Sequence, residues 1–369
     1  MTRAAERLLD AWERGAGPAT ARVLDVAAGG YRGLLGAREW LYASGLLKSR
    51  RLRCPVVSIG NLTVGGTGKT PGVELAVRTL TELGHRPAVV SRGYGRRTRG
   101  VQIVADAASI RLEADEGGDE PFVLARRLPG VPVVVGSNRY EAGSVAIERF
   151  GVTAVVLDDG FQHRTVAKDA EIVMARARAP WGNGRLLPGG PLREPLSALA
   201  RADLVVATGA RGADDVREVA EAVRRHAPGT PVVAAHHVPT ECWEAGPMKD
   251  QPLAILRGRR LFAFAGIAAP DGFRRTLADL GVEEAGIARF ADHHRYSRDD
   301  VRALEARAVA GGADGLVTTE KDWTRLRTLL PAKQPLYVIG VRLELLSGEA
   351  EWRAVIARAV TRRPTAPAP

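Results

Sequence analysis

The feature that most constrains this chain is Gly65-Gly66-Thr67-Gly68-Lys69-Thr70, which follows the apolar run Pro55–Ile59 and opens a helical pattern over Gly72–Leu83. Glycines let successive backbone N–H groups curl around a phosphate, and the helix N-terminus adds its dipole. In such a loop Lys69 reaches the β- and γ-phosphates and the Thr70 hydroxyl ligates Mg2+. Position 63 is Thr where the common phosphate loop has Gly, so the match is to a shorter Gly-Gly-x-Gly-Lys-Ser/Thr form. The extra lysine that some variant-loop ATPases carry before the first glycine is missing. No Gly-x-Gly-x-x-Gly follows the strand, which excludes a dinucleotide fingerprint.

Around this loop, strand-like runs recur at Pro87–Ser91, Val131–Gly136, Val152–Leu157, Leu204–Thr208 and Pro231–His236, with helical patterns such as Pro121–Leu128 between them. Apolar strands alternating with helices predict a parallel sheet covered on both faces. The expected fold is α/β: a P-loop NTPase-like core over residues 51–248, then a smaller α/β domain over 249–345. In that second domain strands are expected at Leu261–Ile267, Gly315–Thr319 and Pro335–Val341, and helices at Asp271–Leu280 and Asp299–Gly311. Residues 346–369 hold a last helix, Gly348–Thr361, and a disordered Pro/Ala tail.

Residues 1–50 form an N-terminal helical segment. Leu24, Ala27, Ala28, Tyr31, Leu34 and Leu35 make an apolar stripe, while Asp25, Arg32 and Glu39 recur on the opposite side. Trp40, Tyr42, Leu46 and Leu47 then run into Lys48, Arg50, Arg51 and Arg53. Apolar and aromatic residues beside a basic cluster suit an anionic membrane interface, and suit equally a core-packed helix with a solvated basic end. The net charge of +11 favours anionic partners, though arginine is spread along the whole chain. No apolar run reaches the ~18 residues of a membrane span, and no cleavable secretory signal is present. Two cysteines, Cys54 and Cys242, are too few for a disulfide framework.

Four further segments carry chemistry. Asp158-Asp159 ends the apolar run Val155–Leu157 and leads into Gly160-Phe161-Gln162-His163, where a P-loop fold holds Mg2+ or its waters. Gly117-Gly118-Asp119-Glu120-Pro121 opens a helix, and Asp119 suits either a cap or a base for an attacking hydroxyl. Ser91-Arg92-Gly93-Tyr94-Gly95-Arg96-Arg97 and Arg139-Tyr140 offer arginines at strand ends, as phosphate clamps or as solvated loops. Asp292-His293-His294 can orient a general base, but two histidines alone do not make a metal site.

The ordered set of motifs resembles the tetraacyldisaccharide 4′-kinases of lipid A biosynthesis. Gly60-Asn61-Leu62-Thr63-Val64 through Thr70-Pro71, then the motifs at 91–95, 118–121 and 158–163, follow that family's order over roughly residues 20–345. Pro191-Leu192-Arg193-Glu194, Asp292-His293-His294 and Thr318-Thr319-Glu320-Lys321-Asp322 complete the set. The resemblance implies transfer of the ATP γ-phosphoryl group, with Mg2+, to the 4′-hydroxyl of an acylated glucosamine disaccharide 1-phosphate. The implied setting is the cytoplasmic face of the inner membrane, bound peripherally or monotopically, with no nucleic acid and no obligate protein partner. It implies a catalytic Asp119 acting with His293 or its neighbour His294. Lys69, Arg139 and the loop from Gly65 to Thr70 belong at the phosphates, and Thr70, Asp158 and Asp159 around the metal. Arg92, Tyr94, Gln162, His163 and Glu194 would complete the cleft. The 201–211 stretch departs from the familiar pattern. Two other readings are a switch-type variant-loop ATPase or GTPase and, on charge alone, a non-catalytic nucleic-acid or membrane module.

Overall fold

The computed structural model describes Trp12 and residues 17–361, apart from 247, 268, 269, 293, 331 and 332. Most of the predicted helix before residue 17, and the tail after 361, therefore lie outside the described residues. The chain divides into two compact units, the larger comprising residues up to 236 together with those after 342, and the smaller 237–342.

The larger unit begins with α1 (Pro18–Ala43) and is built on a mostly parallel sheet. Its strands are β1 (Val56–Gly60), β2 (Pro87–Ser91), β3 (Gln102–Ala105), β4 (Val133–Val135), β5 (Ala154–Asp158), β6 (Ala170–Arg176), β7 (Leu204–Thr208) and the first part of β8 (Val232–Glu244). They lie in the order β8-β7-β6-β1-β5-β2-β4-β3. All neighbouring pairs are parallel except β3 with β4. β1, β2, β5 and β7 are buried at every position, which is why they show continuous Val/Ile/Leu runs rather than alternation.

Helices α2 (Lys69–Glu82), α3 (Asp119–Arg127), α4 (Arg139–Phe150) and α5 (Arg217–His226) are the crossovers. α2 packs Val73, Ala76, Val77 and Leu80 onto Val57, Ile59 and Val156. The C-terminal helix (Glu349–Thr361) belongs to this unit: Trp352 is fully buried in the same core, and its indole N–H donates to Thr79 Oγ1 at 2.9 Å.

α1 packs one side on the unit through half-buried Leu24, Ala28, Tyr31 and Leu35 and leaves further apolar residues outside. Val23, Val26, Leu34 and Trp40 are exposed, Val26 at 77%. Of its charged residues, Glu39 meets the protein and pairs with Arg164 and Arg201, whereas Asp25 pairs with Arg185 at the exposed surface. Of the expected apolar stripe, Tyr31 and Leu35 pack on the core cluster of Leu62, Phe161 and Leu192, whereas Leu34 faces outward.

In the smaller unit a short β9 (Lys249–Gln251) pairs antiparallel with the end of β8. A second parallel set of strands follows: β10 (Arg260–Ala265), β11 (Glu283–Arg289), β12 (Gly315–Thr319) and β13 (Leu336–Leu345), ordered β11-β10-β12-β13. Around it lie α6 (Pro270–Asp279), α7 (Arg298–Ala310) and α8 (Glu320–Leu326).

Candidate active site

Because the strands of the larger unit are parallel, the loops that leave β1, β2, β4, β5 and β7 emerge at one edge of the sheet, where α/β folds bind ligands. Lys69 is the first residue of α2, and the loop before it turns through Gly65 (φ 99°) and Gly68 (φ 79°), a left-handed conformation natural to glycine. Gly65 and Gly66 are exposed, whereas Thr67, Lys69 and Thr70 are buried. Hydrogen bonds from other segments brace the loop. Asn61 Nδ2 donates to Thr67 Oγ1 at 2.9 Å, and Thr208 Oγ1 at the end of β7 donates to the Thr67 carbonyl at 3.1 Å. Gln162 Nε2 donates to the Asn61 carbonyl at 2.9 Å.

At the end of β5, the two adjacent aspartates have different environments. Asp158 is 1% exposed; its Oδ2 accepts from Ser91 Oγ at 2.8 Å, while Oδ1 is buried with no hydrogen-bond partner. Burial, reinforced by the charges of Glu120 and Asp159, pushes its carboxyl up to about 7. Asp159 turns with φ 51° and points elsewhere: Lys69 Nζ lies 3.7 Å from Oδ1, and Arg193 Nη1 donates to both carboxylate oxygens at 2.9 and 2.8 Å. Burial would raise this carboxyl, but Lys69 and Arg193 outweigh it and hold Asp159 below its usual range.

The donor set suits Mg2+. A buried carboxylate oxygen without a partner and a buried threonine hydroxyl at a helix N-terminus are hard oxygen ligands that leave room for phosphate and water. Among the described residues no cluster of three or more His, Cys, Asp or Glu is placed to cage a metal.

Asp119 is the first residue of α3 and is half-buried; the cap position belongs to Gly118 (φ 100°). A Cβ on Gly118 would lie 3.1 Å from Gly93 Cα, and one on Gly93 would lie 2.9 Å from the Gly117 carbonyl. The acidic loop and the Arg92–Tyr94 loop therefore meet backbone to backbone, which only glycine permits. Arg92 and Tyr94 are exposed on that junction. Arg139 is 4% exposed and donates to the Gly136 and Ser137 carbonyls at 3.1 and 3.2 Å. Burial, with Arg92 nearby, lowers its pKa to about 10, so it stays charged. His163 Nε2 is 2.6 Å from Thr165 Oγ1, and burial with Arg139, Lys168 and Arg92 nearby lowers it to about 4. It is a neutral imidazole at physiological pH.

Glu194 does not open into a cleft: it is 2% exposed and clamped at 2.5 Å by both Arg38 and Arg201. In the smaller unit His293 lies outside the described residues. His294 is stacked on Phe290 (ring centroids 4.6 Å) with Nε2 3.2 Å from Asp300 Oδ2. Some residues not singled out from the sequence belong to the site: Arg193 as the partner of Asp159, Glu120 through its field on Asp158, Ser91 and Asn61. Each stands inside one of the recognised motifs, beside residues whose chemistry is more conspicuous.

The family model described as tetraacyldisaccharide-1-P 4′-kinase matches residues 20–361. The chain belongs to this family. It is 44% identical over 352 residues to the tetraacyldisaccharide 4′-kinase of Anaeromyxobacter dehalogenans (strain 2CP-C), covering 94% of this chain and 93% of that protein. It is 43% identical over 312 residues to the tetraacyldisaccharide 4′-kinase of Geobacter metallireducens, covering 84% and 89%. Among solved structures, it resembles LpxK from Aquifex aeolicus in complex with ATP, with a TM-score of 0.72, 29% identity and coverage of 92% and 99%. The phosphate loop, the two aspartates and the acidic α3 start thus sit within a 4′-kinase family member along nearly its whole length.

Proposed function

We propose that the chain transfers the γ-phosphoryl group of ATP to the 4′-hydroxyl of a tetraacyldisaccharide 1-phosphate at the cleft formed by the 65–70 loop, Asp158–Asp159 and the start of α3. The observation that carries this is the buried, unpartnered Asp158 Oδ1 on the strand next to the phosphate loop. Thr70 and Asp158 would hold Mg2+, which supplies charge neutralisation at the phosphates. Asp159 holds Lys69 and Arg193 as a reserve of positive charge, and Lys69 exchanges that carboxylate for phosphate oxygens when nucleotide binds. Asp119 accepts the proton of the attacking hydroxyl. Arg139 and Arg92 offset charge on the equatorial oxygens, while Gln162 keeps the start of the loop in place.

A lipid acceptor calls for a membrane-facing surface. The outward face of α1, with Val23, Val26, Leu34 and Trp40, continues into exposed Leu46 and Leu47 and then Lys48, Arg50, Arg51 and Arg53. No described helix is long and apolar enough to cross a membrane. In this reading α1 lies along the interface of an anionic bilayer, on the cytoplasmic side where ATP is supplied.

The test is phosphate transfer from labelled ATP to tetraacyldisaccharide 1-phosphate in detergent micelles. Turnover should depend on the acceptor and fall about 10²–10⁴-fold in Asp119→Ala, the range for a lost general base. Nucleotide hydrolysis indifferent to the lipid would overturn the reading in favour of a switch ATPase.

A further inference from the structure

α1 is joined to the nucleotide site through polar contacts that a membrane anchor has no need of. Tyr31 donates to the Arg193 carbonyl at 2.8 Å. Further along the helix, Arg38 Nη2 meets the Glu194 carboxylate at 2.5 Å and Nη1 reaches the Gln162 carbonyl at 3.5 Å. Both contacted segments shape the phosphate loop. Arg193 donates its own backbone N–H to the Leu62 carbonyl at 2.7 Å, and Val64 N–H donates to the Pro191 carbonyl at 2.9 Å, so the 191–193 segment lies alongside the arm that enters the loop. The Arg193 side chain holds Asp159, the ion partner of Lys69. On the other side Gln162 braces Asn61, which braces Thr67.

Glu194 makes the joint firm. It is buried, and its two oxygens are each taken by a guanidinium, one from α1 and one, Arg201, from the body of the unit. Removing Arg38 leaves that carboxylate half-compensated in a buried place, and the adjacent Arg193 backbone is the element that would shift.

From these contacts we infer that Tyr31 and Arg38 are positioning residues of the kinase, through which the lipid-facing helix sets the geometry of the phosphate loop. The inference rests on the membrane reading of α1 for its purpose, but its structural content concerns nucleotide binding alone. A helix lifted or rotated by lipid contact would then alter ATP affinity as well as acceptor access.

The experiment is calorimetric titration of MgATP into the full-length protein in detergent micelles without lipid substrate. Arg38→Ala should weaken ATP binding by about tenfold, within the usual range of site-to-site coupling. Tyr31→Phe, which removes one hydrogen-bond donor and keeps the ring, should weaken it by about threefold. Arg38→Lys, with its charge but not its fork, should fall between native and Arg38→Ala. Each variant is checked by circular dichroism at the assay temperature. Native-like ATP affinity in folded variants, with the loss confined to KM for the lipid, overturns the inference and leaves α1 as an anchor alone. If Arg38→Ala does not fold, the two milder variants decide. Sedimentation of the native protein with phosphatidylglycerol vesicles separates the two ideas. Failure to bind vesicles removes the membrane reading, and the lipid-free titration still stands or falls by itself.

Discussion

Gly60, the last residue of β1, offers the sharpest test of how the site is held. A Cβ placed there would lie 2.5 Å from Phe161 Cβ, 2.7 Å from Phe161 N and 3.1 Å from Phe161 Cα. Ordinary carbon–carbon contact is about 3.5–4.0 Å, so Gly60→Ala must drive the two backbones apart by about 1 Å. No flexible side-chain end is available to yield, because Phe161 is fully buried and the opposing atoms are backbone and Cβ. The displacement falls on the turn that carries Asp158, Asp159 and Gln162. It strains the bond from Gly160 N–H to the Ile59 carbonyl, 3.2 Å, and the Gln162–Asn61 brace. Overpacking of this kind costs about 1–3 kcal/mol of stability. A misplacement of about 1 Å at reacting groups is enough to lower turnover about 10²-fold. The assay is acceptor-dependent phosphate transfer at saturating ATP, at a temperature where circular dichroism shows the variant folded. Gly212→Ala serves as control: its added methyl would meet nothing within 4 Å, its φ is −167°, and its turnover should stay within about twofold of native. A folded Gly60→Ala enzyme turning over within about threefold of native would refute the argument that this contact spaces the two loops.

Other expectations concern charge and packing. With the Asp158 carboxyl pushed up to about 7, protons compete with Mg2+ there, so half-saturating Mg2+ should fall as pH rises from about 6 to about 8; a metal dependence flat across that window would contradict the assignment. The same carboxyl binds its proton more tightly folded than unfolded, so the metal-free protein should lose stability as pH rises from about 4 toward 7, and Asp158→Asn should flatten that slope in thermal melts. His163 has the opposite sign: its folded pKa of about 4 is below the unfolded value, so its contribution is complete above about 6.5 and lost as pH falls toward 4. His163→Asn should reduce the acid sensitivity of melting in that window. Trp352→Ala, which empties a fully buried indole site and frees Thr79, should cost about 3–5 kcal/mol in urea unfolding.

The fold is legible in the sequence where strands are buried on both faces. Pro87–Ser91, Leu204–Thr208 and Gly315–Thr319 are observed with the expected bounds. The strands that the apolar pattern misses have mixed composition. β6, between β1 and β7 in the sheet, begins Ala-Glu-Ile and ends in Arg; Glu171 offsets the apolar signal because Lys168 is there to pair with it, 3.1 Å away. β3 and β11 are terminal strands of their sets: β3 is only four residues long, so Ile103-Val104 makes too short an apolar run, and β11 is largely polar or small, where burial does not select Val and Ile. Within the site, reactive residue types are legible and their partners are not. Pro191-Leu192-Arg193-Glu194 is recognisable as a motif, and its resemblance points to Glu194 as the cleft residue. In the fold Arg193 faces the cleft, while Glu194 turns back to Arg38 and Arg201. Adjacent residues on an extended segment point to opposite sides, and nothing in the local sequence says which side holds the cleft.

That ambiguity bears on why the motifs of this chain extend beyond their reactive side chains. Gly60 lets β1 touch Phe161, and Gly93 and Gly118 let two loops meet through backbone. Asn61 has no reactive task in the scheme above, yet it links Gln162 to Thr67 across the mouth of the phosphate loop. Each of these residues fixes a distance between two loops that leave different strands, and a parallel sheet alone sets those distances only to within the freedom of its loops. Asp158 shows the consequence. Its Oδ1 remains unpartnered although buried, a cost that persists only where surrounding structure prevents relaxation. Ser91 from β2 fixes Oδ2, and the Gly160–Ile59 bond fixes the turn beyond. Ser91→Ala should therefore free Asp158 to rotate toward Lys69. The expected result is weaker Mg2+ binding with ATP affinity retained, measured as a rise in half-saturating Mg2+ at fixed nucleotide. Unchanged Mg2+ saturation would show that β5 alone, without its neighbour strand, holds the carboxylate in place.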